Sequence, residues 1–190
     1  MIFVDLAMGP MNWIRSIPTD ELAGNALVLA QACRLLAIPV FFSLAAIPGP
    51  GGEVIPALRG FAVSEETLFH SASSSWQNEA LRQRVAATNR KQLIFAGIAM
   101  DVGVLLTALD AQADGYGVHV VGDVCGTTDS RAEMLTVARM TQAGIHLHTL
   151  GSCIAELQRD YTKPPGPELL RLLRLHEPAP ATVTTPSIAK

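Results

Sequence analysis

Asp5 closes the short apolar run Ile2-Phe3-Val4, and a carboxylate at the end of a buried strand is costly unless something holds it. Such a group either caps a loop or helix end, or moves protons. His70 precedes the small polar run Ser71-Ala72-Ser73-Ser74-Ser75. An imidazole there can act as a cation or, when neutral, as a general base. It also reads as a solvated residue beside serines that form a surface loop, line a cleft or make a lid. Cys125 follows Asp123 on one apolar segment and is either a thiol nucleophile or a small buried hydrophobe. Asp123 fits a cap on the turn into the next helix. Cys33 and Cys153 lie in apolar helical contexts and read as core. His146 and His148 alternate along a strand and so share a face, but a metal would need a third ligand and an open position, so no metal site is expected.

The elements that must position these groups centre on Lys91–Gly126. Leu93-Ile94-Phe95-Ala96 is the continuous apolar run of a strand buried on both faces, and Gly97 allows a tight exit from it. A helix follows from Asp101 to Ala113, ended by Gly115 and Gly117, and Val118–Val121 forms the next strand. This βαβ unit should be parallel and right-handed, with ligands bound where its strands end, at Ile98–Gly103. Upstream, a helix spans Pro18 to about Leu36, a strand Pro39–Ala45 and a third strand Thr67-Leu68-Phe69, followed by a helix from Gln77 to about Thr88. Downstream, Ser130-x-x-Glu133 reads as a capping box opening a helix through Ala143. Ile145–Thr149 is the last strand, and Ser152–Asp160 the last helix of the sheet. The alternation predicts a three-layer α/β/α domain over residues 1–162 with a mostly parallel, Rossmann-like sheet of about six strands. Residues 163–190 read as a helix with a Leu169, Leu170, Leu172, Leu173 stripe that docks on this subunit or a neighbour, then an unpacked tail from about Glu177.

The segment Gly97, Ile98, Ala99, Met100, Asp101, Val102, Gly103, Val104 resembles the nucleophile segment of the isochorismatase-like cysteine hydrolases. Their pattern runs Gly, two small residues, Thr, an acid, a hydrophobe, the nucleophilic Cys, then Val. Methionine stands here for the threonine and glycine for the cysteine. VDLAMG, IPVFFSLAAIPGPGGEVIPAL, SWQNEALRQRVAATNRKQLIFAGI and AELQRDY are similar to the YcaC-like group, so the resemblance runs to about Tyr161. It implies the isochorismatase-like fold, Asp5 as the proton-transfer carboxylate and His70 on or beside the position of the family's catalytic cation. It places Gly103 at the missing nucleophile, with Ala99, Met100 and Val102 as substrate-binding neighbours, and it implies a cis peptide at Ala99–Met100. Losing a covalent nucleophile costs roughly 10⁶ in rate, so cysteine-based hydrolysis should be lost. Three functions stay open: a small amide-, ester- or carboxylate-bearing molecule bound without turnover, slow hydrolysis by Asp5 and His70 on water or by Cys125, or a non-catalytic self-assembling protein.

The chain has 190 residues, 49% of them hydrophobic and 16% charged, with a formal net charge of −3 and no basic patch. Nucleic acid is therefore not an expected partner. No apolar run is long enough for a membrane span, and MIFVDLAMGP lacks the features of a signal peptide, so a cytoplasmic protein without membrane contact is expected. The three cysteines suit a reducing compartment. No cofactor is expected. The apolar surface, together with the family's habit of forming tetramers or larger rings, implies a homo-oligomer.

Overall fold

The computed structural model of the chain describes residues 1–176. Six strands form one sheet: β1 (Ile2–Val4), β2 (Phe41–Ala45), β3 (Thr67–His70), β4 (Gln92–Ile98), β5 (Gly117–Gly126) and β6 (His146–His148). Every neighbouring pair is parallel, and the spatial order is β3-β2-β1-β4-β5-β6. The helices are α1 (Met8–Met11), α2 (Thr19–Leu35), α3 (Glu79–Ala87), α4 (Leu105–Ala113), α5 (Ser130–Gln142), α6 (Leu150–Gln158) and α7 (Gly166–His176). On one face α2, α6 and α7 pack together. On the other, α4 packs on α5 and meets α3 through the tight turn Ser75–Gln77. The expected three-layer α/β/α architecture with a Rossmann-like parallel sheet is the one observed.

The central strands are apolar on both faces because helices cover both. Phe3, Phe42 and Phe95 are fully buried, and the register sets Phe3 beside Phe42 with ring centroids 5.3 Å apart. Gly97 is required where β4 passes β1. Its φ is +147°, and a side-chain carbon added there would lie 1.9 Å from the carbonyl oxygen of Val4. This close approach coincides with a shift in the β4–β5 register between Phe95 and Gly97.

Two caps differ from expectation. Helix α5 is capped by Asp129, whose Oδ1 accepts from the N–H groups of Arg131 at 2.8 Å and Ala132 at 3.0 Å, so Ser130 is its first residue rather than its cap. Asp123 does not cap the next helix either. Its Oδ1 accepts from the Leu150 N–H at 2.7 Å, at the head of α6 beyond α5 and β6, because the pairing of Val121 with His148 brings Asp123, two residues on, beside Leu150. Leu169 of α7 is buried and Leu172 and Leu173 pack against the core, so the leucine stripe docks on its own subunit. The tail from Glu177 lies outside the described residues.

Candidate active site

In a parallel sheet of this order the connections reverse direction between β1 and β4, which opens a crevice beyond their C-terminal ends. Asp5 leaves β1 and Ala99 leaves β4 at that point. Both have left-handed backbones, with φ of 53° and 51°, a conformation that costs a non-glycine residue energy unless its surroundings hold it. At Asp5 the hold is explicit. Its N–H donates to Ser43 O at 2.9 Å, and its Oδ1 accepts from the Ala45 N–H at 2.6 Å.

His70, the last residue of β3, reaches the same carboxylate, with Nε2 at 3.2 Å from Asp5 Oδ1 and side chains only 5% and 13% exposed. Its Nδ1 donates to Ala72 O at 2.8 Å. A carbonyl and a carboxylate both accept, so both ring nitrogens need a proton and the imidazolium is the form that satisfies them. Burial pushes the His70 pKa down, but the hydrogen bond and charge of Asp5, helped by Ala72 O, more than reverse this and hold it above the ordinary histidine value. His70 is thus a buried cation paired to Asp5 and not a solvated loop residue. The serines after it divide. Ser71 and Ser73 are exposed, while Ser74 and Ser75 are buried and tied to α4 through Ser74 Oγ to Asp110 Oδ2 (2.7 Å) and Ser75 N to Thr107 Oγ1 (2.9 Å).

Gly103 completes the group. A side-chain carbon built on it would lie 3.2 Å from Asp5 Oδ2, 3.3 Å from Val4 Cγ1 and 3.5 Å from Ile98 O. The structure therefore brings Asp5, His70 and Gly103 to one place at the ends of three different strands. The route into α4 departs from expectation. Met100–Val104 is a single π turn, and regular helix starts only at Leu105. Among the described residues the only cis peptide is Pro164–Pro165, so Ala99–Met100 is trans and the left-handed Ala99 makes the bend instead. The carbonyl of Ala99 accepts from both Val102 N at 2.9 Å and Val104 N at 3.2 Å. Of the expected substrate-binding neighbours, Ala99 is half-buried, Met100 is core at 1% exposure, and Val102 points outward at 43%, its N–H already used.

Cys125 is not poised as a nucleophile. It is buried, and burial, with smaller pushes from Asp123 and Glu133, raises its thiol to about 12 despite the Gly97 N–H. Burial likewise raises Cys33 to about 11 and Cys153 to about 12. A thiol at 12 is ionised at neutral pH only to on the order of one part in 10⁵. His146 and His148 do share a face, at the far end of the sheet. There they meet His119, which the sequence reading passed over because nothing links residues 119 and 148 until β5 and β6 pair. Among the described residues no group of acidic, histidine or cysteine side chains could hold a metal ion, and no helix is long and apolar enough to cross a membrane.

A single all-parallel, six-stranded sheet covered by helices on both faces is the fold of the isochorismatase-like hydrolases. The isochorismatase domain model matches residues 15–152, which includes His70 and Gly103, while Asp5 lies ahead of the matched span. The chain belongs to the isochorismatase family. Its relatives include the probable hydrolase YcaC of Escherichia coli, 30% identical over 162 residues that cover 85% of this chain and 78% of that protein. The YcaC crystal structure from that organism, described as an octameric hydrolase of unknown specificity, superposes with a TM-score of 0.80 at 29% identity, over 92% of this chain and 91% of that one. YcaC from Pseudomonas aeruginosa, solved with hexane-2,5-diol and covalent acrylamide, matches at 31% identity, with a TM-score of 0.80 and 92% of each chain covered. The MAR1 ribonuclease of Caenorhabditis elegans has the same fold, with a TM-score of 0.82 at 25% identity, covering 100% of this chain and 94% of that one.

Proposed function

We propose that this YcaC-related chain binds a small amide-, ester- or carboxylate-bearing molecule at the Asp5–His70–Gly103 crevice and has lost cysteine-based hydrolysis. The carrying observation is that the position 3.2 Å from Asp5 Oδ2, where a side chain would be addressed by that carboxylate, belongs to a glycine. In this reading Asp5 is the former proton-transfer group and His70 stands for the family's cation. The partial positive charge at the start of α4 is kept without a thiolate to use it. The test is incubation with a panel of short amides and esters, read by mass spectrometry for products and by saturation-transfer NMR for binding. Binding without turnover is expected. An acyl adduct on any of the three cysteines would overturn it.

The Asp5–His70 contact also supports a second reading, slow hydrolysis through water. General acid–base groups alone supply about 10²–10⁴-fold. With His70 held as the imidazolium, Asp5 is the group left to accept a proton, so turnover unchanged in Asp5→Asn would eliminate this reading.

We further infer a homo-oligomer. Its support is the octameric E. coli relative and the apolar side chains left exposed at Trp13, Val102, Met134 and Leu135. Sedimentation at micromolar concentration should show an assembly, and a monomer would refute it. The three buried, unpaired thiols fit a reducing, cytoplasmic setting.

A further inference from the structure

At the edge opposite Asp5, where the strands begin, the chain encloses a cleft of about 470 Å³. Its floor is Ile2, Phe41 and Ile94, with Val85 of α3 on one side and Leu157 of α6 on the other. One wall is a polar relay. Gln92 Oε1 lies 2.9 Å from His119 Nε2, His119 Nδ1 lies 2.9 Å from His148 Nε2, and His148 Nδ1 lies 3.4 Å from Glu156 Oε1. The ring of His146 stacks on His119 at 5.0 Å. Burial, then the neighbouring His148 and His146, lowers the pKa of His119. All four ring nitrogens of His119 and His148 are already partnered, which leaves no lone pair free for a metal.

The mouth is different. Arg90, Lys91 and Arg159 line it, all exposed, and none has an ion-pair partner among the described residues. The one acid of the lining, Glu156, is engaged by His148. An apolar interior of drug-sized volume beneath three unpaired cations is complementary to an amphipathic anion. We propose that this cleft is a second ligand site for a small carboxylate with an apolar alkyl or aryl body, its body on Ile2, Phe41 and Ile94 and its head toward Arg90, Lys91 and Arg159. It lies at the opposite end of the strands from Gly103 and does not depend on the reading of that site.

The test uses octanoate and 1-octanol as matched probes on the full chain, by titration calorimetry and histidine-ring NMR. Octanoate should bind saturably and shift His119 and His148 while leaving His70 unmoved. The triple variant Arg90→Gln/Lys91→Gln/Arg159→Gln, changed only at exposed positions, should weaken octanoate by roughly tenfold or more and leave octanol unchanged. Amide binding at the Gly103 crevice should be the same in both proteins. No saturable octanoate binding at millimolar concentration, equal affinity for the alcohol, or shifts at His70 instead of His119 would each overturn the proposal. So would a triple variant that changes only the oligomeric state, because the mouth would then be a subunit contact.

Discussion

Gly103→Cys tests whether the crevice still addresses a nucleophile. The new Cβ meets Asp5 Oδ2 at 3.2 Å and Val4 Cγ1 at 3.3 Å, so both neighbours must yield by a few tenths of an ångström. Gly103 does not use a left-handed backbone, and replacing glycine there recovers about 0.4–1 kcal/mol of unfolded-state entropy against about 1–3 kcal/mol of crowding. The variant should therefore fold with a net loss of at most about 2.6 kcal/mol. Asp5 pushes the new thiol pKa up, while the His70 imidazolium and the start of α4 pull it down, so the ordinary value of about 8.5 is the reference. At about pH 8 such a thiol is ionised to roughly a quarter. Cys125 and Cys153, raised to about 12, are ionised to on the order of 10⁻⁴. Position 103 should thus take up acrylamide on the order of 10³ times faster than Cys125 or Cys153, and on the order of 10² times faster than Cys33, raised to about 11, before the extra protection of burial is counted. Peptide mass mapping reads this directly, and Gly103→Ala controls for folding. A folded variant labelled at 103 no faster than at Cys125 would show that the crevice does not present a reactive group, and the proposed function would fall with it.

The Asp5–His70 pair has its own signature. The folded pKa of His70 lies above its unfolded value of about 6.5, so its stabilising contribution is complete below that pH and is lost as pH rises through the raised value. In Asp5→Asn the NMR titration of His70 should move down, and the melting temperature should lose its decline across that window; an unmoved titration would refute the assignment of the cation. Gly97→Ala places a carbon 1.9 Å from Val4 O at φ +147° and should cost more than about 3 kcal/mol in urea unfolding. A cost under about 1 kcal/mol would mean that β1 and β4 do not approach as described.

Much of this fold was legible because its signals are local. The apolar runs Ile2–Val4 and Leu93–Ala96 announce doubly covered strands, and the leucine stripe of α7 announces docking. The site was legible only through a motif with its central residue missing. What escaped were features made by tertiary pairing. The carboxylate of Asp123 reaches Leu150 because β5 and β6 pair in register at Val121 and His148, and Asp129 rather than Ser130 takes the cap of α5 because the side chain one residue earlier has the reach. Whether residue 99 bends through a cis bond or a left-handed backbone is decided by the packing of β4 against β1, which a list of small residues does not encode. The sequence leaves His70 open between a solvated loop residue and the cation of the site, because nothing adjacent in sequence says that β3 ends beside Asp5.

Both rims of the sheet are built from short strands. Its last strand, β6, has only three residues and carries a histidine at each end, and β3 on the other rim has four and ends in the ion-paired His70. A passing extended segment finds too few rungs on either side to zip onto. Fibril growth from the native state is thereby blunted by strand brevity alone, without a proline or a lysine on either border strand.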